Sequence, residues 1–279
     1  MLTLGRHRLS LDRPRVMGVL NVTPDSFSDG GRFLDPAAAL NHARRMIADG
    51  ADIIDIGGES TRPGAAPTTE ADEIARVIPL VEALRAECEA RGVPLSVDTR
   101  KPAVMRAGIA AGASMVNDVG ALSAPGALET VAASDAAVCL MHMRGEPATM
   151  QQAASYNDVV GEVKAFLADR SAVCERAGIA HDRIVLDPGF GFGKTVGHNL
   201  AVLHGLAEIV ALGYPVMIGV SRKSTIGALT GRDVAERIAG SVAGALAAVA
   251  RGAAIVRVHD VRETVDALKV WRAVETTAR

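Results

Sequence analysis

Residues 49–59 read Asp-Gly-Ala-Asp-Ile-Ile-Asp-Ile-Gly-Gly-Glu. A glycine closes a helical segment, a short apolar run from Asp52 to Ile56 follows, and two glycines and a carboxylate end it. This is the pattern of an αβ turn feeding a buried strand whose tip carries a polar group. Seven other runs share it: Val16 to Leu20, Pro94 to Val97, Ser114 to Val116, Ala137 to Met141, Arg183 to Leu186, Pro215 to Val220 and Ala254 to Val258. Just past them stand Asn21, Asp98-Thr99-Arg100, Asn117-Asp118, His142, Asp187, Ser221-Arg222-Lys223 and His259, with Arg257 inside the last run. Segments of helical character lie between them, at 35–49, 69–91, 101–111, 125–134, 157–177, 199–212, 234–251 and 262–274. Strand and helix alternate, so the sheet is parallel. The expected fold is α/β, a (β/α)8 TIM barrel spanning 1–279 as one domain, which gathers all eight polar ends on the rim where such barrels do chemistry. An open doubly wound sheet is the alternative, because periodicity does not report closure; eight runs favour the barrel.

Composition narrows the function classes. Hydrophobic residues make up 49% and charged residues 22%, which suits a globular α/β chain and not a disordered one. A net charge of −2 gives no reason to expect nucleic acid or membrane as partner. Cys88, Cys139 and Cys174 lack CxxC spacing, so neither a disulfide framework nor a zinc cluster is indicated, and a reducing cytoplasm fits. The N-terminal stretch MLTLGRHRLSLDRPRV lacks the apolar core of a signal peptide, and no run approaches the roughly 20 apolar residues that span a bilayer. The Ala-rich stretch 238–250 reads as a helix packed closely on the sheet.

Three connections are long, at 21–34, 57–68 and 144–156, and loops of that length in a compact domain are usually functional. Four of the five phenylalanines, Phe27, Phe33, Phe190 and Phe192, fall in predicted loops beside glycines. Rings on a rim suit stacking on a flat heteroaromatic ligand; the competing reading is a hydrophobic plug over the barrel.

The segment Asp187-Pro-Gly-Phe-Gly-Phe-Gly-Lys194-Thr195 has near-P-loop spacing, but Pro188 stands where the first glycine belongs, which argues against an NTPase. What remains is a strand-end carboxylate suited to a planar N–H/NH2 edge such as a 2-amino-pyrimidinone, followed by glycines that let backbone approach a ligand. Lys223 and Ser224 open a helical stretch whose free N–H groups would favour an anionic or carbonyl oxygen. Arg222 reads as a solvated surface cation. Arg257 and His259, two apart, share a face and make a plausible phosphate grip. His142 reads as a hydrogen-bonding support. Asn21 offers a carboxamide oxygen to Mg2+, while Asp25 and Asp29 read equally as turn residues. The segment Glu59-Ser60-Thr61-Arg62-Pro63-Gly64 places a cation and a hydroxyl where a closing loop could swing them over the same site; a tight Pro-Gly turn is the competing reading and explains Pro63-Gly64 but not Arg62.

Together these segments closely resemble dihydropteroate synthases. The motifs are NVTPDSFSDGG (21–31), DIGGESTRPGA (55–65), SVDTRKP (96–102), NDVGAL (117–122), MHMRGEPATMQ (141–151), DPGFGFGKT (187–195), GVSRKSTIG (219–227) and RVHDV (257–261). Each is weak alone, and eight in register are specific. The resemblance implies an Mg2+-dependent transferase that joins 6-hydroxymethyl-7,8-dihydropterin pyrophosphate to p-aminobenzoate. It puts Asp98, Asn117, Asp187 and Lys223 on the pterin, and Asn21, Arg257 and His259 on the diphosphate, with Asn21 on the metal. Phe27, Thr61, Arg62, Pro63, Phe192 and Ser224 would form the p-aminobenzoate pocket. Asp98, Asp187, Lys223 and Arg257 would carry catalysis, through charge stabilisation and positioning rather than covalent attachment. A cytoplasmic homodimer is implied. The rivals are a pterin-binding methyltransferase with a corrinoid partner and a non-catalytic pterin-binding module.

Overall fold

A computed structural model of the chain describes residues 1–23, 36–60, 67–145, 150 and 154–277. Two short antiparallel strands come first, β1 (Leu2–Leu4) and β2 (His7–Leu9). The barrel strands are β3 (Arg15–Asn21), β4 (Ile53–Gly57), β5 (Leu95–Asp98), β6 (Met115–Asp118), β7 (Ala137–Met141), β8 (Ile184–Asp187), β9 (Met217–Ile218) and β10 (Ile255–Val258). They pair in parallel in the order β8-β7-β6-β5-β4-β3-β10-β9, and a parallel bridge between Leu186 and Val216 joins the two ends. The barrel expected from the eight runs is the one observed. Around it lie α1 (Pro36–Ala48), α2 (Glu70–Arg91), α3 (Pro102–Ala111), α4 (Ala127–Ala132), α5 (Val159–Arg176), α6 (Val196–His204), α7 (Leu206–Val210), α8 (Ser224–Thr230), α9 (Ile238–Val249) and α10 (Val261–Thr276). Among the described residues no helix is long and apolar enough to cross a membrane.

Strand alternation divides the core in two. Val16, Leu20, Ile54, Ile56, Val97, Val116, Leu140, Leu186, Ile218 and Val256 face outward and pack under the helices. Met17, Ile53, Met115, Cys139, Val185, Met217 and Ile255 face inward and fill the lower barrel. Leu2 and Leu4, both 0% exposed, reach this inner cluster from the N-terminal hairpin and cap the barrel floor. The hairpin was not anticipated from sequence: its strands are three residues long, too short for a period-2 signal.

Asp52, expected inside a strand, instead tethers the floor, accepting from Arg13 Nη2 at 2.6 Å and from the Val16 amide at 2.9 Å. The αβ turns at Gly50, Gly112 and Gly252 all have positive φ, as their position after helices predicts. The single helix expected over 199–212 is two, broken at Gly205, where a Cβ would stand 3.0 Å from the Val160 methyls of α5. Close approach of α5 explains the glycine. The helix expected from Val234 starts at Ile238, after a 3-10 turn at Val234–Glu236.

Candidate active site

The inward positions one step above the oily layer are polar. Register places Asn21 opposite Gly57, Gly57 opposite Asp98, and Asp98 opposite Asn117, so these strand tips sit at one level. Asp187 ends β8 and Arg257 lies on β10, at the same C-terminal end of the barrel.

Arg257 sits at the centre. Its Nε donates to Asp55 Oδ2 and its Nη2 to Asp98 Oδ2, both at 2.6 Å. Asp55 Oδ2 also accepts from Asn117 Nδ2 at 3.0 Å, so one buried carboxylate oxygen holds both the cation and the amide. Asp55 is 0% exposed and its Oδ1 has no partner among the described residues. Burial pushes Asp98 up to about 7; Arg257 opposes that shift and Asp55 adds to it. Arg257 itself is held above its ordinary value: burial pulls it down, and Asp55 and Asp98 outweigh that pull.

Across the pit, Asp187 Oδ1 accepts from the Gly189 amide at 2.7 Å. Burial raises the Asp187 carboxyl, and Lys223, Gly189 and Arg257 pull it back, so Asp187 and Arg257 lie within electrostatic reach of each other. Lys223 donates to the Phe190 carbonyl, and its Nζ stands 4.5 Å from the Phe192 ring centre. Burial lowers its ammonium to about 8, against the pull of Asp187. Ser224, the first residue of α8, is exposed beside it.

The loop after Asp187 folds tightly over these groups. A Cβ on Gly189 would fall 1.8 Å from the His142 carbonyl, and one on Gly193 would fall 2.3 Å from the Arg144 carbonyl; both glycines have positive φ. Lys194 fastens the loop from below, donating to the Gly189 carbonyl at 3.0 Å and the Phe192 carbonyl at 3.2 Å, with His142 Nδ1 at 3.0 Å. Burial lowers Lys194 to about 7 and His142 to about 3, so His142 is the neutral acceptor for the lysine. The support role read for His142 is the one observed. Asn199 adds a lateral tie, accepting from the Gly191 amide at 2.7 Å and donating to Thr225 Oγ1 at 2.9 Å.

His259 packs its Nδ1 3.0 Å from Ser221 Oγ. Burial, then Arg257, lower the imidazole to about 4, so at neutral pH His259 is a neutral hydrogen-bonding group and Arg257 the cation of the pair.

The sequence pattern of the pterin binding enzyme family matches residues 17–259. The dihydropteroate synthase of Neisseria meningitidis serogroup B is 55% identical over 276 residues, covering 96% of this chain and 95% of that one. The chain belongs to the dihydropteroate synthase family. The Escherichia coli K12 member is 52% identical over 95% of this chain and 93% of its own. A Xanthomonas albilineans dihydropteroate synthase solved with 4-aminobenzoic acid superposes with a TM-score of 0.91 at 54% identity, covering 97% and 96% of the two chains. The Yersinia pestis enzyme in a sulfonamide drug complex reaches 0.94 at 47% identity, covering 99% and 100%.

Of the residues that the family resemblance singled out, Asp98, Asn117, Asp187, Lys223 and Arg257 meet in one pit, with Asn21, His259, Phe192 and Ser224 on its rim. Phe27, Thr61, Arg62 and Pro63, with Phe33, lie outside the described residues. Three readings change. Phe190, offered as a stacking ring or as part of a plug over the barrel, is 1% exposed and belongs to the core between the barrel and its helices. Arg222 is no free surface cation, since its guanidinium pairs with buried Asp260. Asp55 and Lys194 were missed as site residues. A carboxylate inside an apolar parallel strand was a usable signal for Asp55, because such strands are buried on both faces.

Proposed function

We propose that the chain joins 6-hydroxymethyl-7,8-dihydropterin pyrophosphate to p-aminobenzoate, releasing pyrophosphate and forming 7,8-dihydropteroate, a transferase step of folate biosynthesis. The observation that carries this reading is the pit in which Asp55, Asp98 and Asp187 face Arg257 and Lys223 at the end of an apolar barrel interior. The names of the relatives support it, including a Xanthomonas albilineans structure in complex with 7,8-dihydropteroate at 51% identity.

The pterin's amino-pyrimidinone edge donates to Asp187 and pairs with Asn117, while Lys223 donates to its carbonyl oxygen. Asp98 lies alongside, at the wall it shares with Arg257. The C–O bond between the pterin methylene and the diphosphate breaks, and its electron pair leaves with the diphosphate. Arg257 carries the positive charge facing the leaving group, and Nη1 of its guanidinium has no protein partner among the described residues. Neutral His259 donates a hydrogen bond. The methylene cation is delocalised into the electron-rich ring beside the Asp98 carboxylate. The aniline nitrogen then attacks, forms the C–N bond and loses its proton to water or to the departed anion. Phe192 and Ser224, with Phe27, Thr61, Arg62 and Pro63, hold p-aminobenzoate. Positioning and fixed charge supply the acceleration.

The rim fits the Mg2+ this reaction implies. A Cβ on Gly57 would lie 3.5 Å from Asn21 Oδ1 and 3.6 Å from Asp98 Oδ2, so the glycine leaves an oxygen-lined cradle at the strand tips. Asn21 would hold the ion together with diphosphate oxygens, and the ion, when bound, supplies further neutralisation of the leaving group. A cytoplasmic homodimer completes the reading.

Pyrophosphate release that requires both p-aminobenzoate and Mg2+ is the expected result. Methyl transfer from methyltetrahydrofolate to a corrinoid protein, with no pyrophosphate formed, would overturn it; that rival has no use for the SRKS turn or the Arg257–His259 pair. Replacing Arg62 separates enzyme from passive binder: turnover drops sharply in an enzyme, and a pterin-binding module is indifferent.

A further inference from the structure

Arg222 has φ +58°, the left-handed region that a residue carrying a Cβ seldom enters. Both backbone polar groups of this residue and two of its three guanidinium nitrogens are engaged. Its amide donates to Ser241 Oγ of α9 at 2.8 Å, and its carbonyl accepts from Arg237 Nη1 at 3.1 Å. Its Nε donates to Asp260 Oδ2 at 3.0 Å while its Nη2 donates to Oδ1 of the same carboxylate, a two-pronged pair. Asp260 is 8% exposed and directly follows His259 at the start of α10. Gly227 on α8 makes room for this arrangement, since a Cβ there would fall 2.3 Å from Arg237 Nη2.

The consequence of the left-handed step is directional. Arg222 turns outward to Asp260, and the next side chain, Lys223, turns inward to the Phe190 carbonyl and the Asp187 charge. The following residue, Ser224, opens α8 at the rim. On the other side of the turn, Ser221 Oγ accepts from the His259 amide at 3.2 Å. Strained backbone of this kind persists where surrounding contacts over-determine it, and it clusters at ligand clamps.

We propose that Arg222 and Asp260 are positioning residues: their paired side chains lock the turn that aims Lys223 into the pit and fix it against the His259 strand end. The inference rests on the condensation reading for what Lys223 and Ser224 hold.

The test uses R222G, D260N, their double variant and R222K. Glycine is at ease at φ +58°, so R222G removes the clamp without straining the backbone, and any fall in Tm reports Asp260 left without its cation. At saturating pterin substrate, KM for p-aminobenzoate is expected to rise about tenfold in R222G and kcat to fall by about threefold, the scale of a sub-ångström misplacement. D260N should match it, and the double variant should be no worse than either single one, because one interaction is lost each time. R222K, which can reach Asp260 with one prong, should recover part of the loss. Amide exchange across 220–226 should quicken in R222G, and it reads the clamp without turnover. R222G kinetics and exchange both within twofold of the parent, or losses that multiply in the double variant, would overturn the proposal. A parent that releases no pyrophosphate would sink the condensation reading instead, and exchange would still decide the clamp.

Discussion

The lower and upper halves of the barrel interior are built from the same strands and could hardly differ more. Two residues along each strand, Ile53 gives way to Asp55, Met115 to Asn117, Val185 to Asp187 and Ile255 to Arg257. Below, the layer is apolar and sealed by Leu2 and Leu4. Above, the carboxylates Asp55, Asp98 and Asp187 share a pit with Arg257 and Lys223. A step of about 6.6 Å, two strand residues, takes the chain from a region that stabilises by excluding water to one that pays in desolvation for binding and charge. The lower half holds the upper half's charges at fixed separations.

The most severe way to break this contrast is Arg257→Ala. It leaves Asp55 and Asp98 buried without their shared cation, and a loss of about 3–5 kcal/mol in folding stability is expected together with turnover. Urea unfolding measures the first and pyrophosphate release the second. Met115→Ala, in the dry layer, should cost about 2–5 kcal/mol by cavity formation yet leave pterin affinity within about threefold. A large affinity loss without destabilisation would show that the halves are not separable. Asp187→Ala should do the converse, weakening pterin binding by about a hundredfold or more, since it removes the charged partner of a two-point hydrogen-bonded edge. Calorimetric affinity within twofold of the parent would refute that role.

The pH profile sharpens the comparison at smaller scale. Asp98 is raised to about 7 and Lys223 lowered to about 8, so kcat/KM should fall on the acid side as Asp98 takes up a proton and on the alkaline side as Lys223 loses one. Asp55→Asn removes a carboxylate that pushes Asp98 upward, so the acid limb should move to lower pH. The linked stability has a definite sign. Between 3.8 and about 7 the folded chain keeps a proton on Asp98 that the unfolded chain has released, so this group's contribution weakens as pH rises through that window. Asp55→Asn should flatten that slope.

Much of the site was legible before folding was considered. Asn21, Asp98, Asn117 and Asp187 are residues where an apolar run stops, and in a parallel barrel a run stops at the active rim. Asp55 escaped because it lies within its run, where hydrophobic neighbours hide a polar group that faces the other way. Lys194 escaped because its segment was weighed as a phosphate loop, and its true role, fastening the carbonyls of Gly189 and Phe192, needs the loop to be closed. Phe190 and Arg222 were misread for a related cause. Residues in a loop look exposed until the helices around them are in place.

By itself, the amino-acid order determined which residues face inward and at what height, because a strand's period of two is a local property of the backbone. It thereby determined the alternation of strands and helices and the roster of groups at the strand ends. Tertiary structure decided which charge answers which. Arg257 meets Asp55 and Asp98 across separations of 202 and 159 residues. No local rule selects such partners: closing the sheet brings them within hydrogen-bonding distance, and the low dielectric there makes the pairing matter.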